Sequence, residues 1–171
     1  EGPADELTLT ANAQPALMAV SLAAMRALDR EFSVNAGKAL FVAGHSLGEY
    51  SALAAAGALS VSDAAKLLRK RGQAMQAAVP VGEGAMAALI GKVDVATAEA
   101  IAAEGAAAGV VVVANDNNIG NVVISGEKAG VDAALAAAKA KGVRAIPLAV
   151  SAPFHSPLMQ PAADAMAEAL A

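Results

Sequence analysis

The sequence contains no cysteine and no tryptophan, and it has only two histidines among its 171 residues. Without cysteine the chain can form neither a disulfide framework nor a thiolate zinc site, and it has no cysteine nucleophile. Two histidines also argue against a multi-histidine metal site. We therefore expect no bound metal.

Charged residues are scarce as well, at 16% of the sequence, and acidic ones outnumber basic ones by 16 to 12. The net charge of −4 gives no basic field that would attract a nucleic-acid backbone or an anionic membrane, so we expect neither partner. A hydrophobic fraction of 57% over this length is enough for a sizeable core and argues against disorder.

Two uncharged stretches, residues 7–25 and 145–163, have the length of a membrane span. Neither offers an unbroken apolar helix, because the first contains Pro15 and the second contains several prolines and His155. The N-terminus carries acidic residues where a signal peptide would carry basic ones. These features predict a cytoplasmic protein.

The first part of the chain has the pattern of helices packed on a buried strand. The apolar run at residues 39–43 ends at Gly44, as a strand of a parallel sheet would. Ser60 and Asp63 have the spacing of a capping box at a helix start. The predicted helices are residues 10–32, 47–56 and 61–78, and the apolar face of the first is formed by Met18, Leu22, Met25 and Leu28.

The pattern changes after Gly82 to the order βαββαβ, which is typical of a ferredoxin-like split βαβ unit. Its predicted strands are residues 85–90, 110–114, 121–125 and 143–150, and its predicted helices are residues 95–104 and 128–140. We therefore predict an α/β protein with two lobes. Residues 1–82 and 151–171 would form an incomplete α/β-hydrolase-like subdomain with a parallel sheet, and residues 83–150 a ferredoxin-like insert.

A G-x-S-x-G motif, Gly44-His45-Ser46-Leu47-Gly48, lies where the predicted strand turns into a helix. Such a turn would expose Ser46 as a nucleophile. The Leu47 amide at the helix N-terminus would then face the oxyanion formed when Ser46 attacks a carbonyl group. The competing interpretation is a purely structural Gly-Ser-Gly turn.

Only two imidazoles can supply the base that a serine nucleophile needs. His45 shares the turn with Ser46 and is expected to point elsewhere, which leaves His155. A histidine in such a proline-rich segment is about equally often structural, but pairing with an exposed serine favours a general base. Asp116 or a backbone carbonyl could orient its ring.

Arg71 lies on the third predicted helix among alanine and leucine residues. Most helical arginines are simply solvated, and that interpretation stays open for Arg71. A guanidinium that faced the site would instead bind a carboxylate through two parallel hydrogen bonds. The position of Arg71 therefore decides which substrate the site would accept.

These motifs, in this order, resemble those of the malonyl-CoA:acyl carrier protein transacylases of bacterial fatty acid synthesis. The resemblance spans nearly the whole chain. It is carried by Glu1-Gly2-Pro3, Gln14-Pro15-Ala16-Leu17, residues 44–53, Arg71-Gly72, Met75-Gln76, residues 84–88, Phe154-His155-Ser156 and Leu158-Met159.

The resemblance implies a ping-pong acyl transfer with malonyl-CoA and acyl carrier protein as partners and without a cofactor. Ser46 would carry the malonyl group, His155 would act as the base, and Arg71 would hold the malonyl carboxylate. Phe154 accompanies malonyl rather than methylmalonyl selection in related acyltransferases. The other residues that the resemblance places at the substrate are Leu47, Met75, Asn115 and Asn117.

The resemblance also implies that the chain is truncated at both ends. A loop that donates the second oxyanion hydrogen bond would precede Glu1, and a segment that orients the catalytic histidine would follow residue 171. Two alternatives remain open. One is an α/β-hydrolase-type serine esterase or thioesterase with an acid in triad contact, and the other is an inactive fragment of the transacylase.

Overall fold

The computed structural model describes residues 2–171, so Glu1 of the N-terminal motif lies outside the described residues. The chain divides into two compact units. The first extends to Gln73 and includes Met166–Ala171, and the second is Ala74–Ala165. Both boundaries fall within helices, whereas the predicted subdomain limits after residues 82 and 150 fall outside them.

The first unit is helical. Its elements are α1 (Ala4–Thr8), α2 (Thr10–Phe32), a 3₁₀ turn (Ala36–Lys38), α3 (Gly48–Ala55) and α4 (Val61–Ala78), the last of which extends beyond Gln73. The structure confirms the three predicted helices and adds α1. The buried core of this unit consists of Met18, Ala64 and Leu68, with Leu22, Leu47 and Tyr50 packed against it.

Ser60 caps the start of α4 as predicted, but the second backbone bond of a capping box, from the Ser60 N–H to Asp63, is replaced by a bond between the two side chains. The Asp63 backbone N–H donates to Ser60 Oγ at 3.0 Å, and the Ser60 hydroxyl donates to Asp63 Oδ2 at 2.7 Å. The hydrogen bond from Ser60, with that from Lys66, holds the pKa of Asp63 below its usual value. These bonds fix the residue at which α4 begins, and with it the position of Arg71 along the helix.

One local prediction for this unit is wrong. Residues 39–43 form no strand, and Leu40 and Phe41 are 93% and 90% exposed. A strand needs backbone partners, and within residues 2–171 no segment pairs with this run. The predicted apolar face of α2 is buried only near its start, because Met18 is 2% exposed whereas Leu28 is 40% exposed.

The second unit contains a four-stranded antiparallel sheet with the strand order β2-β3-β1-β4. Its elements are β1 (Gly84–Ile90), α5 (Val95–Gly105), β2 (Val111–Asn118), β3 (Asn121–Glu127), α6 (Lys128–Ala140) and β4 (Arg144–Pro147). This confirms the predicted order βαββαβ. The chain is therefore an α/β protein with an antiparallel sheet.

The core of the second unit lies between this sheet and α5 and α6. Leu89 of β1 pairs with Val122 of β3, and Ala87 pairs with Ile124, so these side chains alternate onto the buried face. Ile101 of α5 is fully buried in the same cluster. The last strand, β4, pairs with residues 87–90 of β1, and the chain then continues toward residue 150.

A 3₁₀ turn (Pro157–Met159) and α7 (Gln160–Leu170) follow the sheet, and the sequence analysis had predicted neither. Met159 and Ala162 are buried in a second cluster with Met75, Val79 and Ala152. Among residues 2–171, no helix has both the length and the apolar character needed to cross a membrane.

Candidate active site

Ser46 lies on a strained turn at the start of α3. Its φ of 54° is in the left-handed region, which a non-glycine residue adopts only when its surroundings hold it there. The Gly48 and Glu49 backbone N–H groups donate to the carbonyls of His45 and Ser46 at 2.9 and 3.2 Å. These bonds close the turn and hold Ser46, which is half-buried, at its apex.

The two glycines of the motif are not equivalent. A Cβ atom on Gly44 would overlap the backbone of Gly48 and Glu49, so this position requires glycine. Apart from its chain neighbours and the backbone of its own helix, no atom of the described chain lies within 4 Å of a Cβ built on Gly48, and its φ is not positive. Only the first glycine is therefore needed for the close approach of residue 44 to helix α3.

The backbone N–H of Leu47 is positioned to bind an oxyanion. Leu47 directly precedes α3, where the helix dipole favours negative charge. Within the part of the chain that the structure describes, this N–H donates to no acceptor. It is therefore available to a carbonyl oxygen that gains charge when Ser46 attacks.

Arg71 reaches the same turn from α4. Its Nη2 donates to Ser46 Oγ at 3.3 Å, and its guanidinium is half-buried. No carboxylate in residues 2–171 forms an ion pair with Arg71. Burial lowers the pKa of Arg71, and the nearby Tyr50 and Glu49 partly oppose that shift. A partly desolvated guanidinium without an ion-pair partner is a suitable group to bind a carboxylate.

Gln14 and Thr10 of α2 also belong to this site, and the sequence analysis did not assign them a role there. Arg71 Nη1 donates to Gln14 Oε1 at 2.6 Å, and Gln14 Nε2 donates to Thr10 Oγ1 at 2.9 Å. One signal could have revealed Gln14. It lies four residues before the buried Met18, on the helix face that a core residue would occupy.

His155 belongs to the second unit, in the loop after the sheet. It is exposed, and its φ of 57° again lies in the left-handed region. Phe154 and Ser156 on either side are fixed by hydrogen bonds. The Phe154 N–H donates to the Ala152 carbonyl at 3.0 Å, and the Ser156 hydroxyl donates to the Pro153 carbonyl at 2.7 Å.

The loop that carries His155 is anchored at two further points. Gln76 Nε2 donates to the Ser151 carbonyl at 3.3 Å. Gly84 at the start of β1 lies so close to Pro153 that a Cβ atom on Gly84 would overlap the proline ring. The backbone of His155 is thus held by its neighbours, although its side chain is exposed.

Asp116 does not orient the His155 ring. It is exposed on β2, and the structure gives its side chain no hydrogen bond or ion pair among residues 2–171. The candidate acid that the sequence offered for a Ser-His-Asp triad is therefore not in triad contact. In the described residues there is also no cluster of three or more potential metal-ligating side chains.

The remaining predicted substrate residues lie in the second unit. Met75 is 6% exposed and packs in the core, where the half-buried Phe154 contacts the same cluster. Asn115 is half-buried on β2, opposite Val123. Asn117 is exposed and donates to Asn121 Oδ1 at 3.4 Å. The first unit alone thus brings Ser46, Leu47 and Arg71 together.

Comparison with known proteins gives a consistent result. Residues 1–171 match the family model described as the acyl transferase domain. The chain is 51% identical over 171 residues to the malonyl CoA-acyl carrier protein transacylase of Bacillus subtilis strain 168, and the match covers 99% of this chain and 53% of that protein. The chain spans about half the length of the curated relatives it matches.

Solved structures agree with this match. The acyl-carrier-protein S-malonyltransferase of Bartonella henselae is 60% identical with a TM-score of 0.91, and the alignment covers 99% of this chain and 54% of that one. A malonyl-transacylase solved in complex with a type II PKS acyl-carrier protein is 46% identical with a TM-score of 0.89. That alignment covers 99% of this chain and 54% of the other chain.

Proposed function

Because the chain belongs to the acyl transferase domain family, we propose that it carries the active-site residues of a malonyl-CoA:acyl carrier protein transacylase. One observation carries the proposal. Arg71, a half-buried cation without a carboxylate partner among residues 2–171, donates a hydrogen bond to Ser46, which lies on a strained turn at a helix N-terminus.

In the first half-reaction Ser46 Oγ attacks the thioester carbonyl of malonyl-CoA, and His155 takes the hydroxyl proton. The carbonyl oxygen gains negative charge, which the Leu47 N–H stabilises. When the tetrahedral intermediate collapses, the C–S bond breaks and His155 returns its proton to the departing coenzyme A thiolate. The malonyl group is then an ester on Ser46.

In the second half-reaction the phosphopantetheine thiol of acyl carrier protein replaces coenzyme A. His155 removes the thiol proton, and the thiolate attacks the malonyl-Ser46 carbonyl. The ester C–O bond then breaks, and His155 returns the proton to Ser46 Oγ. The net result is an exchange of one thioester for another without a redox step.

Arg71 provides the selectivity in this scheme. A malonyl group places a carboxylate against the guanidinium, whereas an acetyl group leaves this partly desolvated cation without a partner. When one partner of such a charge pair is absent, the binding free energy is weaker by about 2–5 kcal/mol. Malonyl-CoA is therefore the substrate that this site supports best.

The proposal also assigns substrate roles to four residues of the second unit. Phe154 follows a buried stretch, Ser151–Pro153, and the family resemblance supports a role for it in selecting malonyl over methylmalonyl groups. We place Met75, Asn115 and Asn117 along the path of the substrate.

The finer fold is part of the same proposal. Residues 1–82 and 151–171 would form an incomplete α/β-hydrolase-like subdomain. Two observations support this. Leu40 and Phe41 are almost fully exposed, and a cavity of about 290 Å³ adjoins Val42 and Ser51. The antiparallel order β2-β3-β1-β4 supports a ferredoxin-like subdomain at residues 83–150.

The experiment that tests the function follows the acyl group. The protein is incubated with labelled malonyl-CoA, with and without holo acyl carrier protein, and the label is followed to carrier or to free malonate. We expect the malonyl thioester of acyl carrier protein as the main product and little free malonate. Steady release of malonate that is indifferent to the carrier would support the serine thioesterase instead.

A further inference from the structure

We propose that Gln14, backed by Thr10, is a positioning residue that holds the Arg71 guanidinium against Ser46 and so sets the preference for acyl groups with a free carboxylate. The inference rests on the proposed function of Ser46 and Arg71, which it deepens. It assigns a specificity role to two buried polar residues of helix α2 that take no part in the chemical steps.

The three side chains form a continuous chain of hydrogen bonds. Gln14 is 2% exposed and Thr10 is 6% exposed, so neither side chain is oriented by bulk solvent. Gln14 Oε1 accepts from Arg71 Nη1 at 2.6 Å, and Gln14 Nε2 donates to Thr10 Oγ1 at 2.9 Å. Hydrogen bonds at the oxygen and at the nitrogen hold the Gln14 amide, so Oε1 stays oriented toward Arg71 Nη1.

The helices that carry these residues are joined at the same point. Pro15 lacks the N–H that would normally donate to the Ala11 carbonyl four residues before it. Arg69 Nη1 supplies that missing donor at 2.7 Å and also donates to Asn12 Oδ1 at 2.6 Å. Pro15 therefore leaves the Ala11 carbonyl free to accept from Arg69. Arg69 lies on α4, two residues before Arg71.

Gly72, the residue after Arg71, allows the close contact between the two helices. A Cβ atom at this position would lie 2.6 Å from the Thr10 carbonyl oxygen and 2.7 Å from Ala11 Cα. Glycine is therefore required where α4 meets the first turn of α2. Arg69 and Gly72, on either side of Arg71 in the sequence, both contact α2. These contacts hold the two helices together at the Gln14–Arg71 hydrogen bond.

The chemistry of glutamine suits this role. A neutral amide oxygen can fix the rotation of the guanidinium without neutralising its charge, so the charge remains for a substrate carboxylate. A carboxylate at position 14 would itself pair with Arg71 and compete with the malonyl group. A side chain with no acceptor would leave Arg71 free to turn away from Ser46.

The test measures kcat/KM for malonyl-CoA and for acetyl-CoA in the full-length protein. Gln14→Met removes the acceptor at nearly constant volume, and Gln14→Glu adds a competing carboxylate. For both variants we expect kcat/KM for malonyl-CoA to fall by about tenfold or more, with a change below about threefold for acetyl-CoA. Gln73→Met, an exposed glutamine on α4, is the matched control and should change neither value.

A double-mutant cycle separates positioning from a general packing effect. In an Arg71→Ala background, Gln14→Met should cause no further loss with malonyl-CoA, because the residue that it positions is already absent. Thr10→Val should reduce the malonyl preference by a smaller factor than Gln14→Met, and Thr10→Ser should restore it.

Two outcomes would overturn the inference, and both differ from a failure of the proposed function. Equal losses for both substrates in Gln14→Met, with a lower melting temperature, would make Gln14 a packing residue. An unchanged malonyl preference in Gln14→Met, with Arg71→Ala still abolishing it, would show that Arg71 needs no positioning. If the wild-type protein itself shows no malonyl preference, the proposed function fails first.

Discussion

Arg71 Nη2 lies 3.3 Å from Ser46 Oγ, although the two residues are 25 positions apart, Arg71 on helix α4 and Ser46 on the turn before α3. The contact joins a serine in a left-handed turn to a half-buried guanidinium that has no carboxylate partner within residues 2–171. The Leu47 N–H is next to the same serine. Ser46, the Leu47 N–H and the Arg71 guanidinium therefore meet within the first unit.

The first prediction concerns Arg71. Arg71→Ala should lower kcat/KM for malonyl-CoA by about 30-fold or more, which corresponds to the lower end of the cost of an unpaired charge. The value of kcat/KM for acetyl-CoA should stay unchanged or rise, because the variant has no partly desolvated guanidinium that an acetyl group would leave unpaired. Lys70→Ala, which removes an exposed cation from the same helix, is the control. Equal losses for both substrates would make Arg71 structural.

The second prediction distinguishes the two histidines. His155→Ala should slow acylation of Ser46 by several orders of magnitude, as loss of the general base does in serine acyl transfer. His45→Ala should have a much smaller effect, because the variant keeps the His45 backbone carbonyl that accepts the turn bond from Gly48. Rapid-quench measurement of the acyl-enzyme gives both rates. A change below tenfold in His155→Ala would remove His155 from the mechanism.

The third prediction uses the two glycines of the serine turn as a matched pair. Gly44→Ala should lower the free energy of unfolding by about 2 kcal/mol or more, because its Cβ would overlap the backbone of Gly48 and Glu49. Gly48→Ala should leave it unchanged or raise it by up to about 1 kcal/mol, as alanine favours the helix. Urea denaturation of both variants measures the difference. Similar destabilisation would contradict the unequal roles of the two positions.

The fourth prediction uses Tyr50, the single tyrosine of a chain without tryptophan, as a probe of Arg71. Burial raises the pKa of Tyr50 above its usual value of about 10, and the charge of Arg71 opposes that shift. Arg71→Ala should therefore raise the Tyr50 pKa further, as followed by ultraviolet absorption of the phenolate. An unchanged or lower Tyr50 pKa in Arg71→Ala would contradict this, and Lys70→Ala should leave it unaltered.

The sign of the related stability effect follows from the same shift. Between the unfolded and folded pKa values of Tyr50, the folded state retains a proton that the unfolded state has lost. The contribution of Tyr50 to stability is therefore complete below about pH 10 and declines as the pH rises above that value. Urea denaturation at pH 9 and pH 11 should show a lower midpoint at pH 11 in the wild-type protein.

Local patterns predicted most of the helices and the whole antiparallel sheet. The spacing of Ser60 and Asp63 predicts the start of α4, and the succession of short apolar segments after Gly82 predicts the order of strands and helices around the sheet. These features depend on short-range hydrogen bonding and on burial within one unit. The prediction of a strand at residues 39–43 failed, because a strand depends on pairing partners that no local pattern reveals.

The candidate site was predictable to a similar extent. The G-x-S-x-G motif identified Ser46 and Leu47, and the family resemblance identified Arg71 before its contact with Ser46 was known. The positioning by Gln14 was not predicted, since it depends on a contact between α2 and α4 that Pro15 and Gly72 make possible. Whether an isolated polar residue in a helix is buried cannot be derived from its own sequence neighbourhood alone.

The most direct test of the account is the intact mass of the protein after brief exposure to malonyl-CoA, followed by peptide mapping. The account predicts one malonyl adduct, located on Ser46, absent in Ser46→Ala and removed by holo acyl carrier protein. Ser60→Ala, which changes an exposed serine at the start of α4, should still form it. A folded wild-type protein that forms no adduct, or one that forms it on a residue other than Ser46, would contradict the account.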